Sequence, residues 1–221
     1  MYFKNNIRSV TKKSKNIIEF AQVYFDKLSS IFEEIDLNKF LKLEKILLNA
    51  RLKKKNIFIF GNGGSAATAS TMANDLGFDI LKKTSTKIPF KIFSLTDNTP
   101  VITAISNDVG YENVLINQLK IHFRKKDVVI LISASGNSKN LLKAAEWIKK
   151  SDGYIFSLLG FDGGKLKKIS NDYILVKTEK GDYGHVEDIH LIINHILAHW
   201  FQSKLKKIKY RFNQYFFLEN C

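Results

Sequence analysis

Residues 57–75 read IFIFGNGGSAATASTMAND, and how this stretch is interpreted decides the fold. An apolar run, Ile57–Phe60, meets a Gly-Asn-Gly-Gly-Ser turn and then a helix of small residues, which is the pattern of a strand, a phosphate-sized loop and a helix N-terminus. Glycines let backbone N–H groups come close to an anion, and the positive end of a helix dipole favours a phosphate there. The alternative is a tight turn that merely joins a buried strand to a helix.

Working outward, further apolar runs predict strands at Phe90–Leu95, Asp127–Ile132, Tyr154–Leu159 and Tyr173–Val176, with helical segments between them. Helices are expected over Asn140–Lys149 and from about Val186 to Lys207. Continuous apolar strands that alternate with helices predict an α/β fold: a doubly wound, mostly parallel five-stranded sheet covered on both faces. Ahead of the first strand, Ile17, Phe20, Tyr24, Leu28 and Ile31 share one helical face, and Phe40, Leu43 and Leu47 share another after a break at 36–38. These two helices can cover the sheet or pack against another subunit. The expected division is an N-terminal helical segment (1–54), a central domain (55–207) and a C-terminal tail (208–221).

Composition narrows the function classes. Of the 221 residues, 45% are apolar and 25% charged, as in an ordinary globular protein. No apolar run is long enough to span a membrane, and the N-terminus lacks the apolar core of a signal peptide, so the expectation is a cytoplasmic protein with no membrane partner. The only cysteine is Cys221, which leaves no internal disulfide and no cysteine zinc cage. The formal charge of +14 comes from lysines scattered along helices, so nucleic acid is not the expected partner. The stretch SKLKKIKYRFNQYFF (203–217) interleaves basic and aromatic residues. It reads either as a helix extension packing its aromatics on the protein or as a surface for single strands or anionic lipid.

A second turn, Ser133-Ala-Ser-Gly-Asn-Ser138, follows the strand at 127–132 and opens a helix. Its three hydroxyls and adjacent N–H groups can surround a phosphate with neutral donors, though a serine at a helix start is also an ordinary N-cap. Both turns fall beyond the carboxyl ends of strands, where ligands bind on such sheets.

Taken in order, Gly61–Ser65, Ser94–Asn98, Ile105–Asp108 with Tyr111, Ser133–Ser138, and Glu187–His190 with His195 resemble the motifs of sugar-isomerase (SIS) domain proteins, specifically the phosphoheptose isomerases. The resemblance runs to about Trp200. It implies aldose–ketose isomerisation of sedoheptulose 7-phosphate for lipopolysaccharide or capsule precursors, with a heptose or other sugar phosphate as ligand and a homotetramer as assembly. It implies catalytic roles for Asp75 and His195, and substrate contacts at Asn62, Gly63, Gly64, Ser65, Asn107, Asp108, Ser133, Ala134, Ser135, Ser138 and Glu187. Enediol chemistry suits such a pair, because one group removes a proton beside the carbonyl while another exchanges protons with the oxygens. Many members bind zinc, but the positions of their histidine and glutamine ligands hold Thr71 and Glu187 here, so no metal site is expected. The family's catalytic glutamate is the shorter Asp75, an arginine position holds Asp79, and an aspartate position holds Gly184. The rival reading is a non-catalytic SIS module that binds a sugar phosphate as a signal or docks a protein such as a replication initiator. On the late helix, Asp188 either orients the imidazole of His195 or faces solvent.

Overall fold

A computed structural model describes residues 14–218, with side chains described for 14–206. Five strands form one parallel sheet: β1 (Asn56–Gly61), β2 (Lys91–Ser94), β3 (Val128–Ser133), β4 (Tyr154–Gly160) and β5 (Asp172–Val176). Their order is β2-β1-β3-β4-β5. The chain therefore reverses direction across the sheet between β1 and β3, and the crevice at that switch point lies beyond the ends of those two strands. Every expected strand is present, with ends shifted by a residue or so.

Nine α-helices surround the sheet among the described residues: α1 (Ile17–Glu33), α2 (Asn38–Leu52), α3 (Gly64–Asn74), α4 (Ile80–Thr84), α5 (Thr99–Val109), α6 (Val114–His122), α7 (Lys139–Lys150), α8 (Leu166–Ile169) and α9 (Tyr183–Leu218), with a π-helical turn, Asp75–Asp79, between α3 and α4 and a 3-10 turn, Tyr111–Asn113, between α5 and α6. Successive strand residues point to opposite faces, and both faces are buried, which is why the strands read as unbroken apolar runs. Ile57, Ile59, Ile130, Ile132, Phe156 and Leu158 pack with α1 to α4 and α9. Phe58, Phe60, Val129, Leu131, Ile155 and Leu159 pack with α6, α7 and α8 on the other side.

Buried acids fix the amino ends of the strands. Asp127, 1% exposed, accepts from the N–H and side-chain amide of Asn56 and from the N–H of Arg124 at 2.9–3.1 Å, tying the start of β1 to that of β3. Asp172 takes Lys39 and Lys42 of α2 at 2.7 and 2.9 Å. Burial would raise the Asp172 carboxyl, but these two ammonium groups and the Tyr173 N–H outweigh it and hold it below the usual range. The two leading helices thus cover the sheet of their own chain, while Ile17, Ile18 and Phe25 of α1 stay exposed.

Helix α9 begins three residues earlier than expected and runs on to Leu218, across the expected boundary at 207/208. The side-chain packing of the basic-aromatic tail lies outside the described residues. No helix among the described residues is long and apolar enough to cross a membrane.

His190 of α9 is fully buried, and neither ring nitrogen meets a partner at hydrogen-bonding geometry, although the Leu159 main chain lies near enough to favour the charged ring slightly. Burial pushes this ring down to about 4. Below the ordinary value of 6.5 the unfolded chain therefore binds a proton that the folded chain refuses, and stability is lost as pH falls from 6.5 towards 4. Urea unfolding at pH 7 and pH 5 checks this. The His190→Leu variant is expected to lose about 2 kcal/mol less than the parent between those two values, and equal losses would contradict the assignment.

Candidate active site

The first loop leaves β1 at Gly61 and enters α3 at Gly64. No side chain caps this helix, the N–H groups of Ala66 and Ala67 turn back to the Gly63 carbonyl at 2.9 and 3.3 Å, and Gly63 sits at the open tip with nothing within 4 Å of where a Cβ would stand. A Cβ at Gly64 would fall on the carboxylate of Glu187, so the tip of that side chain lies directly against the loop and would have to swing aside for any larger residue. Glu187 is half-buried, and burial followed by the neighbouring Asp188 raises its carboxyl above the usual range. Ser65 is buried behind the loop, its N–H bonded to the Asn62 carbonyl at 3.1 Å.

Asn62 is held from two sides. Its amide forms a reciprocal pair with that of the buried Asn140 on α7, at 2.8 and 3.1 Å, and Tyr111 donates to its Oδ1 at 2.8 Å. Asn140 therefore links the two loops, a role the sequence reading missed because an asparagine inside a predicted helix carries no signal by itself. Asn107 and Asp108 lie exposed on the last turn of α5 and are bonded to each other at 2.9 Å. From this part of the chain it is Tyr111 that reaches the first loop.

The second loop folds around its own hydroxyls. Ser133 Oγ accepts from the Gly136 N–H at 3.0 Å and Ser135 Oγ from the Asn137 N–H at 3.3 Å, which leaves both hydroxyl protons to donate elsewhere. Gly136 has φ +60°, and a Cβ there would strike the Gly163 carbonyl of the loop after β4. That loop also holds Asn137, whose Oδ1 accepts from the Lys165 N–H at 3.1 Å. Ala134 is buried beneath the turn. Ser138 is the N-cap residue of α7, yet its side chain makes no capping hydrogen bond. The cap alternative thus fails at this serine, and its hydroxyl is free to meet an anion at the helix start. Beside the loop opens a cleft of about 530 Å³ lined by Ser135, Asn137, Asp162, Lys167, Lys177 and Lys180 among others, and its three lysines outnumber the one aspartate, so its field favours an anion.

Asp75 opens the π-helical turn, a feature that often marks functional sites. Its Oδ2 lies 3.9 Å from His195 Nε2 and accepts from Asn194 Nδ2 at 2.7 Å, and its Oδ1 accepts from Asn74 at 3.1 Å. The imidazole is half exposed, with 51% of the side chain open, while the carboxylate is mostly covered. The expected pair is therefore brought together from α9 and the end of α3.

Asp188 lies exposed, the second of its two expected settings, and its hydrogen-bond partner is not His195. It accepts a hydrogen bond at 2.5 Å from Tyr24 of α1, the same ring that stacks 3.9 Å from His185. Tyr24 Oη also lies 3.0 Å from where a Cβ of Gly184 would stand, so α1 fills the space at that position.

These motifs agree with known proteins. A family model described as the SIS domain matches residues 23–160. The phosphoheptose isomerase of Helicobacter pylori strain P12 is 39% identical over 165 residues, covering 73% of this chain and 82% of that protein. That of Sulfurimonas denitrificans is 34% identical, covering 83% and 92%. The chain belongs to the SIS-domain family, among its phosphoheptose isomerases. The solved structure of the phosphoheptose isomerase from Neisseria gonorrhoeae superposes with a TM-score of 0.74 at 26% identity, covering 85% of this chain and all of that one.

The zinc site of many family members has no matching donor set here. Thr71 replaces an imidazole and its hydroxyl is bonded to the Ala67 carbonyl at 3.0 Å, while Asp75 Oδ2 is occupied by the Asn194 amide. Among the described residues no three His, Cys, Asp or Glu side chains converge as a metal site would require.

The uncapped Ser138 separates two roles that are usually confounded. Ser138→Ala is expected to leave the melting temperature within about 1 °C, since no cap bond worth about 1 kcal/mol is lost. It should weaken sugar-phosphate binding, followed by calorimetry, by about tenfold. A lowered melting temperature with unchanged binding would return Ser138 to a capping role.

Proposed function

We propose that the chain is a cytoplasmic sugar-phosphate isomerase that interconverts sedoheptulose 7-phosphate and D-glycero-D-manno-heptose 7-phosphate through an enediol. The observation that carries this reading is the meeting of Asp75 and His195, 3.9 Å apart, on α9 and the π-helical turn that continues the helix leaving the first loop. The names of the relatives supply the substrate.

The charges orient the substrate. Glu187 lies against the first loop, and a carboxylate there disfavours a dianionic phosphate. The phosphate therefore sits at the second loop, among Ser133, Ser135 and Ser138, the start of α7 and the basic cleft beside it. The sugar then extends towards Asn62, Gly63 and Gly64 and presents its first two carbons to the acid–base pair. Anchoring the distal phosphate converts binding energy into alignment of these carbons.

In the ketose-to-aldose direction, the acceptor-only carboxylate of Asp75 takes a proton from C1, and the electron pair forms the C1–C2 double bond of the enediol. The imidazole of His195, which can hold a proton on one nitrogen while accepting on the other, gives a proton to O2 and removes one from O1. Asp75 returns its proton to C2 as the O1 carbonyl forms. The bonds balance, and no step is routed through a metal.

A homotetramer is part of this proposal. Phe78 and Leu81 beside the π-helical turn, and Ile196 and Trp200 on α9, are exposed apolar side chains on the same elements that carry Asp75 and His195. Second copies of the chain would cover them and shield the site from water.

Turnover of sedoheptulose 7-phosphate by the purified chain is the direct assay. Asp75→Asn and His195→Ala are each expected to lower kcat by about 10²- to 10⁴-fold. Chelator treatment is expected to leave kcat unchanged, because the donor set does not fit zinc. Full activity in both variants would sink the residue assignment, and tight sugar-phosphate binding with no turnover in the parent would favour the non-catalytic reading.

A further inference from the structure

We infer that Asn194 is a positioning residue that holds the Asp75 carboxylate in the orientation needed for proton transfer, an inference that rests on the isomerase reading above.

Four observations carry it. Asn194 is completely buried, on a face of α9 that also carries the buried His190, Leu197, Ala198 and Phe201. An amide in such a place is costly unless both ends are satisfied, and here Oδ1 has no hydrogen-bond partner. The one bond that the side chain makes is from Nδ2 to Asp75 Oδ2, at 2.7 Å across the contact between α9 and α3. The amide thus contributes through the carboxylate and through nothing else around it. The reversed amide would set Oδ1 against a carboxylate oxygen, which identifies Nδ2 as the atom facing Asp75.

The geometry explains why a carboxylate on this turn benefits from a fixed partner. Asp75 stands at the first position of a π-helical turn, and its neighbour on the same side of the site, His195, is too far away at 3.9 Å to bind it firmly. Asn74 holds Oδ1 at 3.1 Å from the exposed side. Asn194 holds Oδ2 from the buried side, so the two amides together fix the carboxylate plane and leave the remaining lone pair of Oδ2 facing the imidazole and the crevice. A neutral donor does this without neutralising the charge that a base requires. Because Asn194 and His195 are consecutive, one helix sets both the base's orientation and the position of the imidazole, and any rotation of α9 would move both.

The test is the Asn194→Leu variant, which keeps the helix, the side-chain branching and the number of heavy atoms and removes the amide. Its kcat on sedoheptulose 7-phosphate is expected to fall by about 10- to 100-fold. KM should stay within about twofold, because the substrate-binding loops are untouched. In the Asp75→Asn background the same change should cost less than about twofold, since Asn194 acts only through the carboxylate. A kcat within twofold of the parent, or an equal loss in both backgrounds, would overturn the inference, as would a fall in melting temperature accompanied by a rise in KM. A crystal structure of Asn194→Leu gives a readout independent of turnover. The Asp75 carboxylate is expected to leave its place beside His195 or to occupy several rotamers, and an unchanged carboxylate would overturn the inference even if the parent proved inactive on this sugar. Full activity of Asp75→Asn alone would instead refute the isomerase assignment, so the two failures are told apart.

Discussion

The close approach of α9 to the first loop and to α3 is the constraint on which the site depends. The Glu187 side chain occupies the space beside Gly64 where any other residue would carry a Cβ, and the Asn194 amide reaches Asp75 two turns further along the same helix. A larger residue at position 64 would displace the Glu187 carboxylate from the loop. The same helix is anchored at the back by Glu44 of α2, which accepts hydrogen bonds from Trp200 and Lys204, and by Gln202, which donates to Asp79 at 3.2 Å. Contacts on two sides therefore hold the one helix that carries Glu187, Asn194 and His195.

The sheet supplies the complementary half. Its order places the ends of β1 and β3 side by side, so the loops that leave them open onto one crevice. The Asn62–Asn140 amide pair bridges those loops directly. On the far side of β1, Ser94 and Thr96 after β2 and Ser70 on α3 gather around the Asp97 carboxylate, which fastens the next loop to the helix that carries Asp75. What looks in the sequence like a scatter of small polar residues is, in space, a set of short bonds between neighbouring loops.

How far the sequence revealed all this depended on the range of the interaction. The strands were legible because burial on both faces makes each an apolar run, and the two glycine-serine turns were legible because their residues are consecutive. Asp75 and His195 could be named only through resemblance, since 119 positions separate Asp75 from its partner Asn194 and no local pattern relates them. Asn194 itself went unnoticed because a lone asparagine on an apolar helix face looks like a simple interruption of periodicity. Tyr24, the partner of the exposed Asp188, could not be read from helical spacing, which speaks only of its own helix, because Tyr24 comes from α1. The π-helical turn is likewise invisible to a 3.6-residue pattern, although it decides where the Asp75 carboxylate begins.

The central claim is that the two loops hold a heptose phosphate so that Asp75 and His195 can move a proton between its first two carbons. Incubation of sedoheptulose 7-phosphate with the protein in deuterium oxide, followed by proton and carbon NMR, tests this most directly. The account predicts deuterium at C2 of the heptose product and, with time, at C1 of the recovered ketose, because the proton held by the base exchanges with solvent while the enediol persists. No heptose product and no deuterium at C1 of the recovered ketose would contradict the account, since no proton would then have left C1.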